Sequence, residues 1–105
     1  FTEAIESYDK ALEIDPELVL EINPELVNAY SNKGLTLYSL GRYAEAIESY
    51  DKALELDPSF AIAYYGKGLS LERLDRIREA ISNYEQALSI DPSFKLAAEK
   101  LDKLR

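Results

Sequence analysis

Cysteine and histidine are both absent from the 105 residues. Without cysteine there is no disulfide and no thiolate metal site, and the redox compartment leaves no mark. Without histidine the chain lacks the usual general base and the commonest metal ligand. Glycine and proline are scarce, four of each, so long helices meet few breakers. No apolar run approaches the roughly 18 residues that span a bilayer, and no secretory signal pattern stands at the start. No membrane partner is therefore expected, and a cytoplasmic location is. Positive charge is also short: 12 Lys and Arg against 20 Asp and Glu give a net charge of −8. That argues against a nucleic-acid partner, because phosphate contact needs a basic face.

What remains is an ordinary folded composition, 47% apolar and 30% charged, long enough for one domain or a short array of smaller units. The charge is unevenly spread. Residues 1–28 carry eight acids and one lysine, net −7; residues 29–58 carry five acids and three bases, net −2. Residues 59–105 carry seven acids and eight bases, net +1. The chain opens at Phe1 without methionine, in the middle of a helical pattern, and is expected to be cut from a longer protein.

The sequence repeats. YAEAIESYDKALELDP (43–58) recurs as IREAISNYEQALSIDP (77–92), and NAYSNKGLTLYSLGR (28–42) recurs as IAYYGKGLSLERLDR (62–76), both 34 residues on. FTEAIESYDKALEIDP (1–16) is a third copy of the first segment, displaced by 42 residues. The eight extra residues are an internal doubling, EIDPELVL (13–20) followed by EINPELVN (21–28). Asn23-Pro24, Asp57-Pro58 and Asp91-Pro92 are in phase, so Asp15 to Ile22 is an insertion. Each Asx-Pro pair reads as a helix start, a capping side chain before a proline preset for the first turn. A straight helix cannot contain Pro16 or Pro24 in its interior. The insertion is expected to form a short kinked helix, with Leu18, Val19, Leu20 and Ile22 as its apolar residues.

Within each unit the pattern is helical. Ala46, Ile47, Tyr50, Ala53 and Leu54 follow the i, i+3, i+4, i+7, i+8 spacing, with Glu45, Glu48, Asp51, Lys52 and Glu55 opposite them. Tyr30, Leu35, Leu37, Tyr38 and Leu40 give the preceding segment a broader apolar surface, and Gly41 sits where that helix should stop. A turn of a residue or two predicts an antiparallel hairpin.

A 34-residue helix–turn–helix unit with these residues resembles the tetratricopeptide repeat. The likeness is carried by YSNKGLTLY and by AIESY…AL…DP: Tyr30 and Tyr64 at the large aromatic position, Gly34 and Gly68 at the small one. Ala46…Tyr50 and Ala80…Tyr84 form the small–aromatic pairs, and Pro58 and Pro92 close the units. Lys33 and Lys67 depart from the family pattern, where leucine is frequent; long lysine stems can snorkel there. The resemblance covers all of the chain except the insertion. It implies an all-α fold, a right-handed superhelical array of antiparallel helix hairpins. The expected organisation is a lone second helix at 1–14, the insertion at 15–22, full repeats at 23–56 and 57–90, and a capping helix at 91–105. In that last helix Leu96, Ala97, Leu101 and Leu104 are expected to cover the open end of the array.

The resemblance further implies that the first helix of each hairpin lines a concave wall that binds peptides. On that wall Asn28, Ser31, Leu35 and Tyr38 would come from one unit, and Ile62, Tyr65, Leu69, Glu72 and Arg73 from the next. A subgroup of the family grips a peptide's terminal carboxylate with lysine, asparagine and arginine; Ser31, Leu35 and Leu69 stand in those places here. The apolar stripe of Leu35, Tyr38, Ile62, Tyr65 and Leu69 suits an amphipathic helix or an extended peptide instead. Phe1, Ile5, Tyr8 and Leu12 would lack part of their cover. With Leu18, Val19, Leu20 and Ile22 they are candidates for self-association, as a head-to-tail stack or a swapped dimer.

Catalysis has little to stand on. Carboxylates such as Glu45 and Glu48, or Glu3 and Glu6, lie at helical spacing on charged faces, and neither a phosphate loop nor a calcium loop is present. No enzyme activity, cofactor or metal is expected. The function these residues support is a protein–protein interaction module. The alternative is a structural or engineered repeat whose main partner is another copy of itself.

Overall fold

The computed structural model describes residues 23–105; the helix expected at 1–14 and the insertion at 15–22 lie outside them. Five helices and no strand make up the described part: α1 Pro24–Ser39, α2 Tyr43–Leu56, α3 Ala61–Arg73, α4 Ile77–Ile90 and α5 Lys95–Leu104. Helix α1 packs on α2 and α3 on α4, while α2 and α3 join the two hairpins and α5 closes on α4. The architecture is the all-α superhelical array of antiparallel hairpins. None of the described helices is long and apolar enough to cross a membrane.

Packing follows the alternation of small and large residues. Ala46, Ala53, Ala63, Ala80, Ala87 and Ala97 are completely buried; with only a methyl group each, they let helix backbones approach closely. The bulk comes from Val27, Leu37 and Tyr50 in one cluster and from Leu71, Tyr84 and Leu101 in the other. Lys67 behaves as a snorkelling lysine: its stem is half-buried and its Nζ reaches Asp51 of α2 at 2.8 Å.

Both hairpin turns are three residues long rather than one or two, because each helix ends in a full carbonyl-capping motif. After α1, Arg42 N–H donates to Leu37 O at 2.9 Å and Gly41 N–H to Tyr38 O at 3.0 Å. After α3, Arg76 N–H donates to Leu71 O at 2.9 Å and Asp75 N–H to Glu72 O at 3.0 Å. The motif requires a left-handed residue, and Gly41 (φ 77°) and Asp75 (φ 61°) occupy it. Arg42 and Arg76 then clasp Glu45 and Glu79 one turn into the following helix.

The three Asx-Pro pairs do not act alike. Asn23 is a true N-cap: its Oδ1 accepts from Glu25 N–H at 3.0 Å and Leu26 N–H at 3.3 Å, and Pro24 is the first helical residue. Asp57 and Asp91 instead close a turn. Asp57 Oδ1 accepts from the Ser59 N–H and hydroxyl, and Phe60 N–H bonds back to Asp57 O at 3.1 Å. Ser93 and Phe94 repeat this on Asp91. The serine hydroxyl, absent at Glu25, ties the carboxylate to the turn, so α3 and α5 start at Ala61 and Lys95 rather than at the prolines.

Candidate functional site

Residues expected on the concave wall lie on α1 and α3, the first helices of their hairpins. The 34-residue phase adds α5 to the same row: Asn28, Ile62 and Leu96 are equivalent, as are Leu35, Leu69 and Lys103. Exposure sorts these side chains sharply. Leu35 is 56% exposed, Ile62 57% and Leu96 54%, and Asn28 and Arg73 are also exposed. Ser31 is only 7% exposed, which removes its hydroxyl from the accessible wall.

The tyrosines and Leu69 occupy an intermediate place. Tyr38 is half-buried against the first core cluster and meets Tyr43 edge-on, with ring centroids 5.4 Å apart. Tyr65 packs against the second cluster, stacked on Phe94 at 5.1 Å and tilted against Tyr84 at 5.7 Å. Burial pushes its phenol pKa up. Leu69 packs on the same cluster. Each of these side chains thus splits its surface between wall and core, whereas Leu35 and Ile62 present mostly to solvent.

Charge gathers at the C-terminal end of α3, beside Tyr38 of α1 and Lys100 of α5. A cleft of about 240 Å³ is lined by Tyr38, Leu69, Glu72, Arg73 and Lys100. Glu72 accepts the Tyr84 hydroxyl and pairs with Lys100 at 3.3 Å, so one carboxylate links α3, α4 and α5. Burial first, and this bond second, hold the Tyr84 phenol far above the usual tyrosine range. Arg73 donates from Nε to the Tyr38 hydroxyl at 3.2 Å.

Leu96 is exposed in the row of Asn28 and Ile62, and Lys100 lines the cleft; the expectation that α5 only covers the open end contained neither. Ala97 and Leu101 are buried as that role requires, and Leu104 is half-buried, but Leu96 points out. The phase already contained the signal, since residue 96 is 34 beyond Ile62. Phe1, Ile5, Tyr8, Leu12, Leu18, Val19, Leu20 and Ile22 lie outside the described residues.

This geometry agrees with what the chain is similar to. The family description "TPR repeat" matches residues 34–75, and "Tetratricopeptide repeat" matches 61–94 and again 1–18. Curated protein sequences give no match. Among solved structures, the first TPR of Spaghetti (RPAP3) bound to the HSP90 peptide SRMEEVD is 27% identical, with a TM-score of 0.85 over 98% of this chain and 75% of that one. The Arabidopsis OM64 TPR domain is 25% identical, with a TM-score of 0.86 over 99% of this chain and 79% of that one. The second TPR domain of human RPAP3, in complex with the HSP70 peptide SGPTIEEVD, is 25% identical with a TM-score of 0.82, over 95% and 77%. Period, hairpin geometry, small–aromatic pairing and these matches coincide along the array: the chain belongs to the tetratricopeptide repeat family.

Proposed function

We propose that this chain is a non-catalytic protein-interaction module that binds a peptide or helical segment along the wall of α1, α3 and α5. The observation that carries the reading is the solvent exposure of Leu35, Ile62 and Leu96, one on each of the three first helices. Apolar side chains little more than half exposed on α1, α3 and α5 have burial energy still to gain, about half of the roughly 1.5–3 kcal/mol that covering a fully exposed side chain yields. Two structural relatives were solved with peptides bound, which supports a peptide as the ligand class. The stripe here is apolar, so the ligand is read as presenting leucine-like side chains rather than only a charged tail.

Panning a random peptide library against the protein tests this. Sequences enriched on the wild type and lost on an Ile62→Ser/Leu96→Ser variant of unchanged melting temperature support the groove. Enrichment that is indifferent to both substitutions rejects it.

A second reading, self-association, is favoured by the charge asymmetry: net −7 over residues 1–28 against net +1 over 59–105. Head-to-tail contact would pair these ends. Sedimentation at about millimolar protein, in low and high salt, decides it: a monomer under both conditions ends the idea, and association lost in salt supports it.

A further inference from the structure

Tyr38, in the last turn of α1, and Arg73, in the last turn of α3, hold each other across the unit boundary. Arg73 Nε–H donates to the Tyr38 hydroxyl at 3.2 Å, and the guanidinium carbon stands 6.0 Å from the centre of the tyrosine ring. Two restraints on one guanidinium fix its plane, so less side-chain freedom is lost when it pairs again. With Nε occupied, the two terminal nitrogens still present the flat edge that grips a carboxylate through parallel hydrogen bonds. Arg42, Arg76 and Arg105 each spend their guanidinium on a glutamate; among the described residues Arg73, like Arg78, is in no such ion pair.

The neighbouring acid does not quench it. Glu72 already takes the Tyr84 hydroxyl and the Lys100 ammonium. The cleft holds Arg73 and Lys100 against Glu72 alone, a local charge of +1 in a chain of −8. Ile62 lies eleven residues back along α3, about 16 Å at 1.5 Å per residue, with Leu96 beside it in the repeat phase. Along α3 the wall is therefore apolar at its start, at Ile62, and charged at its end, at Glu72 and Arg73, with Lys100 of α5 beside them. A helix lying across α3, about 10–12 Å wide with its side chains, covers most of that span, and contact at its edge brings it within reach of the long Arg73 side chain.

We infer that the occupant is an amphipathic helix bearing an acidic side chain on one flank, and that Arg73, oriented by Tyr38, reads that carboxylate. This rests on the groove reading above and adds the ligand's charge to it.

The probes are two fluorescein-labelled, C-terminally amidated peptides of one leucine–alanine amphipathic pattern, with either glutamate or glutamine along one flank. A third is the glutamine peptide with a free C-terminal carboxylate. Fluorescence anisotropy at low salt should give the glutamate peptide an advantage of about fivefold, the upper range for an exposed ion pair. R73Q should bring that ratio to one, and Y38F should reduce it while keeping the ring's packing. Equal binding of the two amidated peptides, or an advantage that survives R73Q, overturns the inference and leaves the groove standing. An advantage seen only with the free terminus assigns the site to chain ends and overturns it too. If none of the three binds, the groove reading falls and this inference falls with it.

Discussion

Tyr50 of α2 presses its ring against the backbone of Gly66 in the next hairpin. A Cβ on Gly66 would meet Tyr50 Cζ more closely than the 2.9 Å at which a Cβ on Gly34 would meet the same ring. One tyrosine thus fills the gap beside glycines of α1 and α3, and Tyr84 does the same beside Gly68. Gly66→Ala should destabilise the protein: overpacking costs roughly 1–3 kcal/mol, while the gain in helix propensity returns at most about 1. Urea denaturation should rank Gly66→Ala as more damaging than Gly34→Ala. The reverse order would show that Tyr50 leans on its own hairpin, not on the next.

The carbonyl caps predict a stabilising change. Asp75 holds a left-handed backbone (φ 61°) that its counterpart Gly41 adopts without a Cβ penalty. Asp75→Gly should therefore raise stability by about 1 kcal/mol, and Gly41→Ala should lower it by a similar amount. Thermal melts of the two variants should move in opposite directions.

Wall residues should separate by how much core they hold. Tyr65 stacks on Phe94 and packs against Tyr84, so Tyr65→Ala should lower stability by roughly 2–4 kcal/mol, in the range for losing a large, partly buried aromatic. Ile62→Ser should stay within about 0.5 kcal/mol, as exposed sites do. If Tyr65→Ala left the melting temperature unchanged, its ring would be a free groove residue after all.

Alkaline pH should unfold the array through its tyrosines. Burial, with Tyr38 adding to it, pushes the Tyr50 phenol up to about 12, and Tyr84 is raised as well. The unfolded chain releases these protons near pH 10. Their contribution is thus complete below pH 10 and is lost as the pH rises towards about 12. Circular dichroism and tyrosinate absorbance followed together should show the last tyrosines ionising as the helices melt. Tyr50→Phe should make that loss shallower; an identical alkaline profile would contradict it.

The sequence by itself determined the helices, their pairing and the residues that pack them. Those features depend on spacing along one chain: a 3.6-residue apolar period, a 34-residue repeat, and glycine or alanine opposite tyrosine. The Ala46–Tyr50 and Ala80–Tyr84 pairs were legible for that reason, whereas the seating of those rings on Gly34, Gly66 and Gly68 came from the packing. What only the tertiary structure decided was how each wall residue divides between core and solvent. Leu35, Tyr38, Ile62, Tyr65 and Leu69 form one apolar stripe in sequence, yet Leu35 and Ile62 stand in solvent while the other three are half-buried. A side chain's burial there depends on the neighbouring unit, as Phe94 covers Tyr65 from the start of α5. Likewise Asn23-Pro24 and Asp57-Pro58 look alike, but the Ser59 hydroxyl turns the second into a turn rather than a cap. The contact of Arg73 with Tyr38 spans 35 residues, a separation no local pattern encodes, and only the packing of α3 beside α1 brings the two together.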